Sequence, residues 1–329
     1  MKHERESAVR RPVRSPFSSL ATADEVLAGR DLSGKRIIVT GGASGLGAAS
    51  VRALASAGAM VTIATRNAAD ADDIARRFEL VDGRVLDLGD LQSVRRFVSD
   101  WSGPVDVLIA NAGVMALPER KLTASGWEMQ LGVNFLGHFA LAYGLHEQLA
   151  QANGRVVIVS SGAQLRAPVD LADLHFDSRP YDPWVAYAQS KSADVLLSVG
   201  ITRRWMGDGI TANACSPGAV HTQLQRHIPA EAMRQMGAMD DRGNLIHGEG
   251  FKTPEQGAAT PVFLATSPLV EGVSGAYFED NQESAVVDGG PEPRSGVARW
   301  SLDPARADAL WELASLTVER ETRAEDRED

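Results

Sequence analysis

Short aliphatic runs recur along this chain, and the early ones show no polar–apolar alternation. They are Arg36–Thr40 (RIIVT), Met60–Thr65 (MVTIAT), Gly83–Leu88 (GRVLDL), Val105–Asn111 (VDVLIAN), Arg155–Ser161 (RVVIVSS), Ile210–Ser216 (ITANACS) and Gly275–Asp280 (GAYFED). Unbroken apolar strands are those buried on both faces, as in a parallel sheet covered by helices. The segments between them have helical length and period. Gly47–Gly58 is alanine-rich and stops at glycine, and SADVLLSVGITRRW after Lys191 keeps an apolar stripe. Alternating strands and helices predict a single doubly wound α/β domain, with a seven-stranded parallel sheet and helices on both faces. No internal repeat or linker divides it. The expected limits are an N-terminal arm over 1–30, the α/β domain over 31–290, and a helix with a charged tail over 291–329.

The first run leads into TGGASGLG, Thr40–Gly47. A tight turn needs one glycine, a pyrophosphate close to the backbone needs another, and close helix–strand packing needs a third. Gly41, Gly45 and Gly47 meet these needs where a strand passes into a helix N-terminus. The next strand ends in Thr65 and Arg66, where an NAD-specific chain would carry a carboxylate for the ribose 2′-hydroxyl. An arginine there can pair with a 2′-phosphate in bidentate fashion, which points to NADP(H) over NAD(H).

Tyr187 and Lys191, in YAQSK, are four residues apart in a stretch free of proline and glycine, so a helix would place both on one face. A free phenol, with a pKa of about 10, is a poor proton donor or acceptor at neutral pH. A neighbouring ammonium stabilises the phenolate and lowers that value. Such a tyrosine can pass a proton to a carbonyl oxygen or take one from an alcohol. Taken alone, a Tyr–Lys pair at this spacing also fits a solvated helix face.

Composition removes several classes. The 329 residues are 44% hydrophobic and 23% charged, and the net charge of −10 offers nothing to nucleic acid. The single cysteine, Cys215, excludes an intrachain disulfide and suits a reducing, cytoplasmic setting. No apolar run approaches the roughly 20 residues of a membrane span. The basic start, MKHERESAVRRPVRSPF, lacks an apolar signal core and reads as a disordered arm. ERETRAEDRED, from Glu319, reads as a disordered tail. His221, His227 and His247 fit no metal spacing, so no metal is expected.

In order along the chain stand TGGASGLG, NAG at Asn111–Gly113, VNFLGH around Asn134, VSS ending at Ser161, YAQSK and SPGAVHT. Together they resemble the short-chain dehydrogenase/reductase family over roughly Leu32–Gly290. ATRN, NFLGHF and the long Ser-to-Tyr spacing resemble its retinol-dehydrogenase-like branch and related actinobacterial-type oxidoreductases. The resemblance implies a Rossmann fold and an NADP(H)-dependent enzyme acting on a CH–OH/C=O group. Tyr187 would be the general acid/base. Lys191 would lower its pKa and hold the nicotinamide ribose, Ser161 rather than Ser160 would bind the substrate oxygen, and Asn134 would hold a water linking Lys191 to solvent.

Further cofactor contacts follow from the same resemblance. They are Gly41, Ser44, Gly45, Leu46 and Gly47 at the turn, and Asp87 and Leu88 at the adenine. Asn111, Ala112 and Gly113 would lie along the adenosine ribose, and Pro217, Gly218, Val220 and Thr222 at the nicotinamide. Some NADP-type members carry a basic residue at the Ser44 position, so its absence leaves more of the choice to Arg66. A non-catalytic NADP(H)-binding sensor on the same fold is the alternative. It would have no need of the intact Ser161, Tyr187 and Lys191.

Two segments are long enough to shape a substrate pocket. Gly162–Ala186 separates Ser161 from Tyr187 by 26 positions and carries aspartates and Trp184. Gln223–Gly250 holds Met233, Met236 and Met239 at three-residue steps. They predict a small-molecule carbonyl or alcohol substrate of apolar character, with Trp184, Met233 and Met236 as its wall. Leu310, Leu313 and Leu316 predict a helix after Gly290. Family members often pair through the helices carrying VNFLGH and YAQSK, so a homodimer is expected.

Overall fold

In the computed structural model, residues 10–246 and 250–325 are described. Eight strands form one sheet in the order β3-β2-β1-β4-β5-β6-β7-β8. They are β1 (Arg36–Thr40), β2 (Met60–Thr65), β3 (Val81–Val85), β4 (Val107–Ala110), β5 (Arg155–Val159), β6 (Thr211–Ser216), β7 (Tyr277–Glu279) and β8 (Gln282–Glu283). The first seven run parallel, and β8 adds an antiparallel two-residue edge by folding back on β7. Five strands run beyond β1 on one side and two on the other, so the chain reverses direction between β1 and β4. In open α/β sheets, ligands bind beyond the carboxyl ends of the strands at such a point.

β1 shows why the runs do not alternate. Ile37 and Val39 pack into the apolar layer under Leu54, Ile63 and Phe263. Ile38, between them, packs into the opposite layer with Leu108, Phe139 and Trp311. Each successive side chain therefore meets a buried layer. Register aligns the strand ends, with Thr40 beside Ala64, Ala110 beside Ile158, and Val159 beside Cys215. Thr40, Asn111, Ser160, Ser161 and Ser216 thus collect along one edge of the sheet.

Three departures from expectation have clear causes. β3 lies two to three residues earlier than Gly83–Leu88. Leu86 and Leu88 are buried beyond the end of the ladder, so apolar residues continue where strand pairing has stopped. The described part of the basic arm, from Arg10, docks on the β7–β8 end of the sheet. Glu283 Oε2 accepts from Val13 N at 2.7 Å, Gln282 Oε1 accepts from Ser15 N at 3.0 Å, and Asn281 Nδ2 donates to Ser18 O at 2.8 Å. Composition carries no sign of these partners 260 or more residues away. The acidic tail is helical through Glu325, as part of the C-terminal helix Pro304–Glu325.

The C-terminal helix packs along the long helix Pro183–Trp205. Trp311 lies edge-on to Phe139 at 4.8 Å and to Trp205 at 5.1 Å. It fills the space over Gly200, where a methyl would come 2.8 Å from its ring. Asp308 pairs with Arg203 at 3.0 Å and with Arg204 at 2.8 Å. The C-terminal helix thereby covers the face around Gly200, Phe139 and Trp205 on the helices that carry YAQSK and VNFLGH. Among the described residues, no helix is long and apolar enough to cross a membrane.

Candidate active site

The glycine turn leaves β1 and opens the helix Gly45–Ser56. Gly41 at φ +65° and Gly45 at φ +52° adopt left-handed backbone that other residues rarely take. A methyl at Gly47 would collide with the Gly41 carbonyl and stand 2.6 Å from Asn111 Nδ2. Thr40 ties the turn to the end of β4. Its hydroxyl accepts from Asn111 N and Ala112 N, both at 2.9 Å, and its carbonyl accepts from Asn111 Nδ2 at 2.8 Å. Leu46 anchors the helix start in the core.

Groups that would face a dinucleotide stay uncommitted. Ser44 caps the helix without spending its hydroxyl on a cap bond, and is exposed. Arg66 is exposed at the end of β2 and makes no ion pair among the described residues. Asp87 is exposed and accepts from Gly89 N at 2.9 Å, while Leu88 is buried beneath it. After β6, Gly218 takes φ +83°. Val220 bridges to Lys252, whose aliphatic stem lies against Gly218. Thr222 reaches over the turn, 3.1 Å from where a Gly45 methyl would stand. An open anion-facing helix start, a turn stripped of side chains and a free cation at the end of β2 fit a phosphorylated dinucleotide.

The long helix starts at Pro183, where Asp182 caps Trp184 N and Val185 N. It brings Tyr187 and Lys191 to one buried face, with Lys191 Nζ 5.8 Å from the centre of the Tyr187 ring. Ser161 is half-buried where β5 ends, its hydroxyl accepts from Ala163 N at 3.1 Å, and its nearness to the Tyr187 phenol lowers that group's pKa. Ser160 points elsewhere, its hydroxyl donating to Lys191 O at 2.7 Å inside the core. Of the two serines, Ser161 faces the tyrosine.

Asn134 sits in a π-helical stretch, Gly132–Leu136. Such single widened turns occur often at functional sites. Its Oδ1 accepts from Val114 N at 2.8 Å, and its Nδ2 donates to Val114 O at 3.0 Å and to Ser190 Oγ at 2.9 Å. These bonds clamp the NAG loop against the long helix. The Asn134 carbonyl accepts from His138 Nδ1 at 2.7 Å. Burial pushes His138 down to about 4, so its ring is neutral and Nε2 accepts from the Thr40 hydroxyl at 2.9 Å. His138 thereby joins the glycine turn to Asn134.

At Tyr187 opposing influences meet, and Lys191 lowers its pKa as expected. Burial raises the Tyr187 pKa and outweighs the lowering by Lys191 and by nearby Ser161; Asp194 adds a smaller rise. Tyr187 is therefore held as a phenol. Lys191 is opposed by its own burial, but Asp194 beside it keeps its pKa raised.

With this geometry in view, residues 35–232 match the family model described as short chain dehydrogenase. The chain belongs to the short-chain dehydrogenase family. A Streptomyces antibioticus protein named "Probable oxidoreductase" is 57% identical over 292 residues, covering 87% of this chain and 98% of that one. Human "Retinol dehydrogenase 14" is 36% identical, covering 87% of each chain. The solved structure of BdcA in complex with NADPH is 27% identical with a TM-score of 0.57, covering 75% of this chain and 92% of that one. This short-chain dehydrogenase is retinol-dehydrogenase-like, and an oxidoreductase by family.

Over Tyr187 the enzyme places an apolar cluster of Met115, Ala116, Ile228, Met233 and Ala238. Trp184 stands edge-on to the Tyr187 ring at 6.5 Å. Met236 does not join this wall and is 51% exposed. The helix Ala230–Gln235 ends just before it, so the three-residue period no longer governs where it points. His247 lies outside the described residues.

Sequence reasoning missed two members of the site. His138 was passed over inside NFLGHF. Asp194 is buried three residues after Lys191 and pairs with its ammonium at 2.8 Å. A lone acid in the apolar stripe SADVLL was the available signal.

Proposed function

We propose that this short-chain dehydrogenase is an NADP(H)-dependent reductase of ketones or aldehydes, able to run in reverse on secondary alcohols. The observation that carries this reading is that Tyr187 and Lys191 share one buried face of the long helix, with Lys191 Nζ 5.8 Å from the Tyr187 ring centre, next to half-buried Ser161 at the end of β5. Gly41, Ser44, Gly45, Leu46 and Gly47 would hold the pyrophosphate. Arg66, with Ser44, would meet the 2′-phosphate. Asp87 and Leu88 would border the adenine, Asn111–Gly113 the adenosine ribose, and Pro217, Gly218, Val220 and Thr222 the nicotinamide. When bound, the dinucleotide supplies or accepts the hydride at the substrate carbon.

The chain's own groups manage the oxygen. Ser161 and Tyr187 donate hydrogen bonds to the carbonyl oxygen and orient it. Tyr187 passes its proton there as negative charge develops. Lys191 supports the tyrosine and holds the nicotinamide ribose. Asn134 keeps the NAG loop and the long helix in register, and its satisfied side chain argues for that role rather than for holding a water. Met115, Ile228, Met233 and Trp184 exclude water and favour an apolar substituent. Residues 31–290 would form the working unit, with 10–30 and 291–325 packed on it, and the buried lone cysteine suits a cytoplasmic setting. We read the enzyme as a monomer, because its C-terminal helix covers the pairing face. A panel of carbonyls followed by NADPH absorbance tests the reading. Turnover of apolar ketones or aldehydes with NADPH supports it, and no turnover of any carbonyl or alcohol with either dinucleotide would defeat it.

A further inference from the structure

Ala116 stands in left-handed backbone, at φ +50°, within the apolar cluster over Tyr187. A residue with a β-carbon stays there only where its surroundings hold it, and such positions gather at functional sites. The holding group is Gln130, a fully buried side chain on the short helix Met129–Leu131. Its Oε1 accepts from Ala116 N at 2.9 Å. Its Nε2 uses both hydrogens, donating to Tyr181 Oη and to Pro183 O, each at 2.9 Å. This amide orientation is fixed by its partners, because Ala116 N can only donate and Pro183 O can only accept. The Tyr181 hydroxyl in turn donates to Leu117 O at 3.1 Å. Glu128 secures the base of the arrangement, accepting from Gln130 N at 3.0 Å and from Leu131 N at 2.8 Å.

Asn134 lies four residues further on and holds Val114 N and Val114 O. The backbone on both sides of Met115 is therefore tied to one helical stretch. Met115, between the two ties, packs in the cluster with Tyr187 and Met233. Pro183 opens the long helix one turn before Tyr187. Gln130 thus spans from the pocket wall to the element that carries the proposed proton donor. We propose that Gln130, with Tyr181, is a positioning residue that sets the spacing between the Met115–Ala116 wall and Tyr187, and thereby the size of the apolar substituent that a carbonyl substrate can carry. The inference rests on the reductase reading and deepens it. Released from Gln130, Ala116 would relax out of its left-handed conformation and carry Met115 with it, and the apolar substituent would lose contact while the carbonyl oxygen kept its partners.

The test follows kcat/KM along a homologous series of apolar ketones or aldehydes with NADPH. Gln130→Met keeps the length of the side chain and removes all of its amide bonds. The advantage of the best substrate over the shortest should shrink by about fourfold or more, the equivalent of one buried methylene contact. The change should lie in KM for the longer substrates, with NADPH affinity kept within about twofold, because uniform binding and not the chemical step is what the wall supplies. Tyr181→Phe removes one hydroxyl from a half-buried ring, covers the case in which Gln130→Met does not fold, and should shrink the same advantage. An equal loss along the whole series, or an unchanged advantage beside a lowered Tm, would overturn the proposal, since a network that only stabilised the fold would give one or the other. Wild type that turned over no carbonyl at all would instead defeat the reductase reading itself, so the two failures are distinct.

Discussion

Arg66 and Gly47 illustrate two ways in which one residue would set cofactor binding in the proposed function. Arg66 is an exposed cation at the end of β2 that makes no ion pair among the described residues, and a bidentate pair with phosphate is charge-assisted. Arg66→Ala should weaken NADPH binding at least tenfold, about 1.4 kcal/mol, and leave NADH binding little changed. Fluorescence titration of both dinucleotides checks this, and an unchanged ratio would contradict it. At Gly47 the constraint is space. An alanine methyl would run into the Gly41 carbonyl and crowd Asn111 Nδ2, both rigid neighbours. Gly47→Ala should lower Tm by several degrees and abolish measurable NADPH binding, whereas wild-type affinity would mean that the turn is not the cradle. Both residues were legible in the sequence, because glycine spacing after a strand and a basic residue after the next strand are local patterns. Tyr187, Lys191 and Ser161 were legible in the same way. Asp194 and His138 were not. Each acts through a partner that only the fold brings close, and a buried polar residue in an apolar stripe looks like a tolerated exception until its partner is seen.

At the scale of elements, β1 and β2 fall where their aliphatic runs begin and end. β3 does not, because apolar patterning records burial and not ladder bonding. The six-residue helix Ala230–Gln235 defeats a period that would need two full turns to be reliable. The C-terminal helix was expected from its leucines, yet its key contact is Trp311. That ring is buried among Phe139, Trp205 and Gly200, and Arg204 lies 4.6 Å over its face. Removing it opens a cavity that rigid helices cannot close. Trp311→Ala should cost about 3–5 kcal/mol. Thermal and urea unfolding measure this, and a loss below about 1 kcal/mol would show that the C-terminal helix is loosely held.

At the scale of the whole molecule, the segments at 10–20 and 304–325 both pack on the body that carries the sheet. The segment from Arg10 straps the β7–β8 edge, and the C-terminal helix lies on the long helix that carries Tyr187 and Lys191. The second contact covers part of the helices through which a homodimer is expected, and no single-sequence pattern shows which surface a terminal helix will choose. Light scattering at micromolar concentration should give the monomer mass of about 35.1 kDa, and twice that mass would require a different pairing surface. The sheet order, the switch point between β1 and β4, and the alignment of Thr40, Asn111, Ser161 and Ser216 along one edge make the site a property of the fold. The most direct test of its chemistry compares wild type with Tyr187→Phe, which removes one oxygen. With an apolar ketone or aldehyde and NADPH, kcat should fall by about a hundredfold or more, while NADPH affinity stays within about twofold, as expected when a general acid is lost. Retained turnover in the Phe variant would contradict the account, because another group would then be moving the proton.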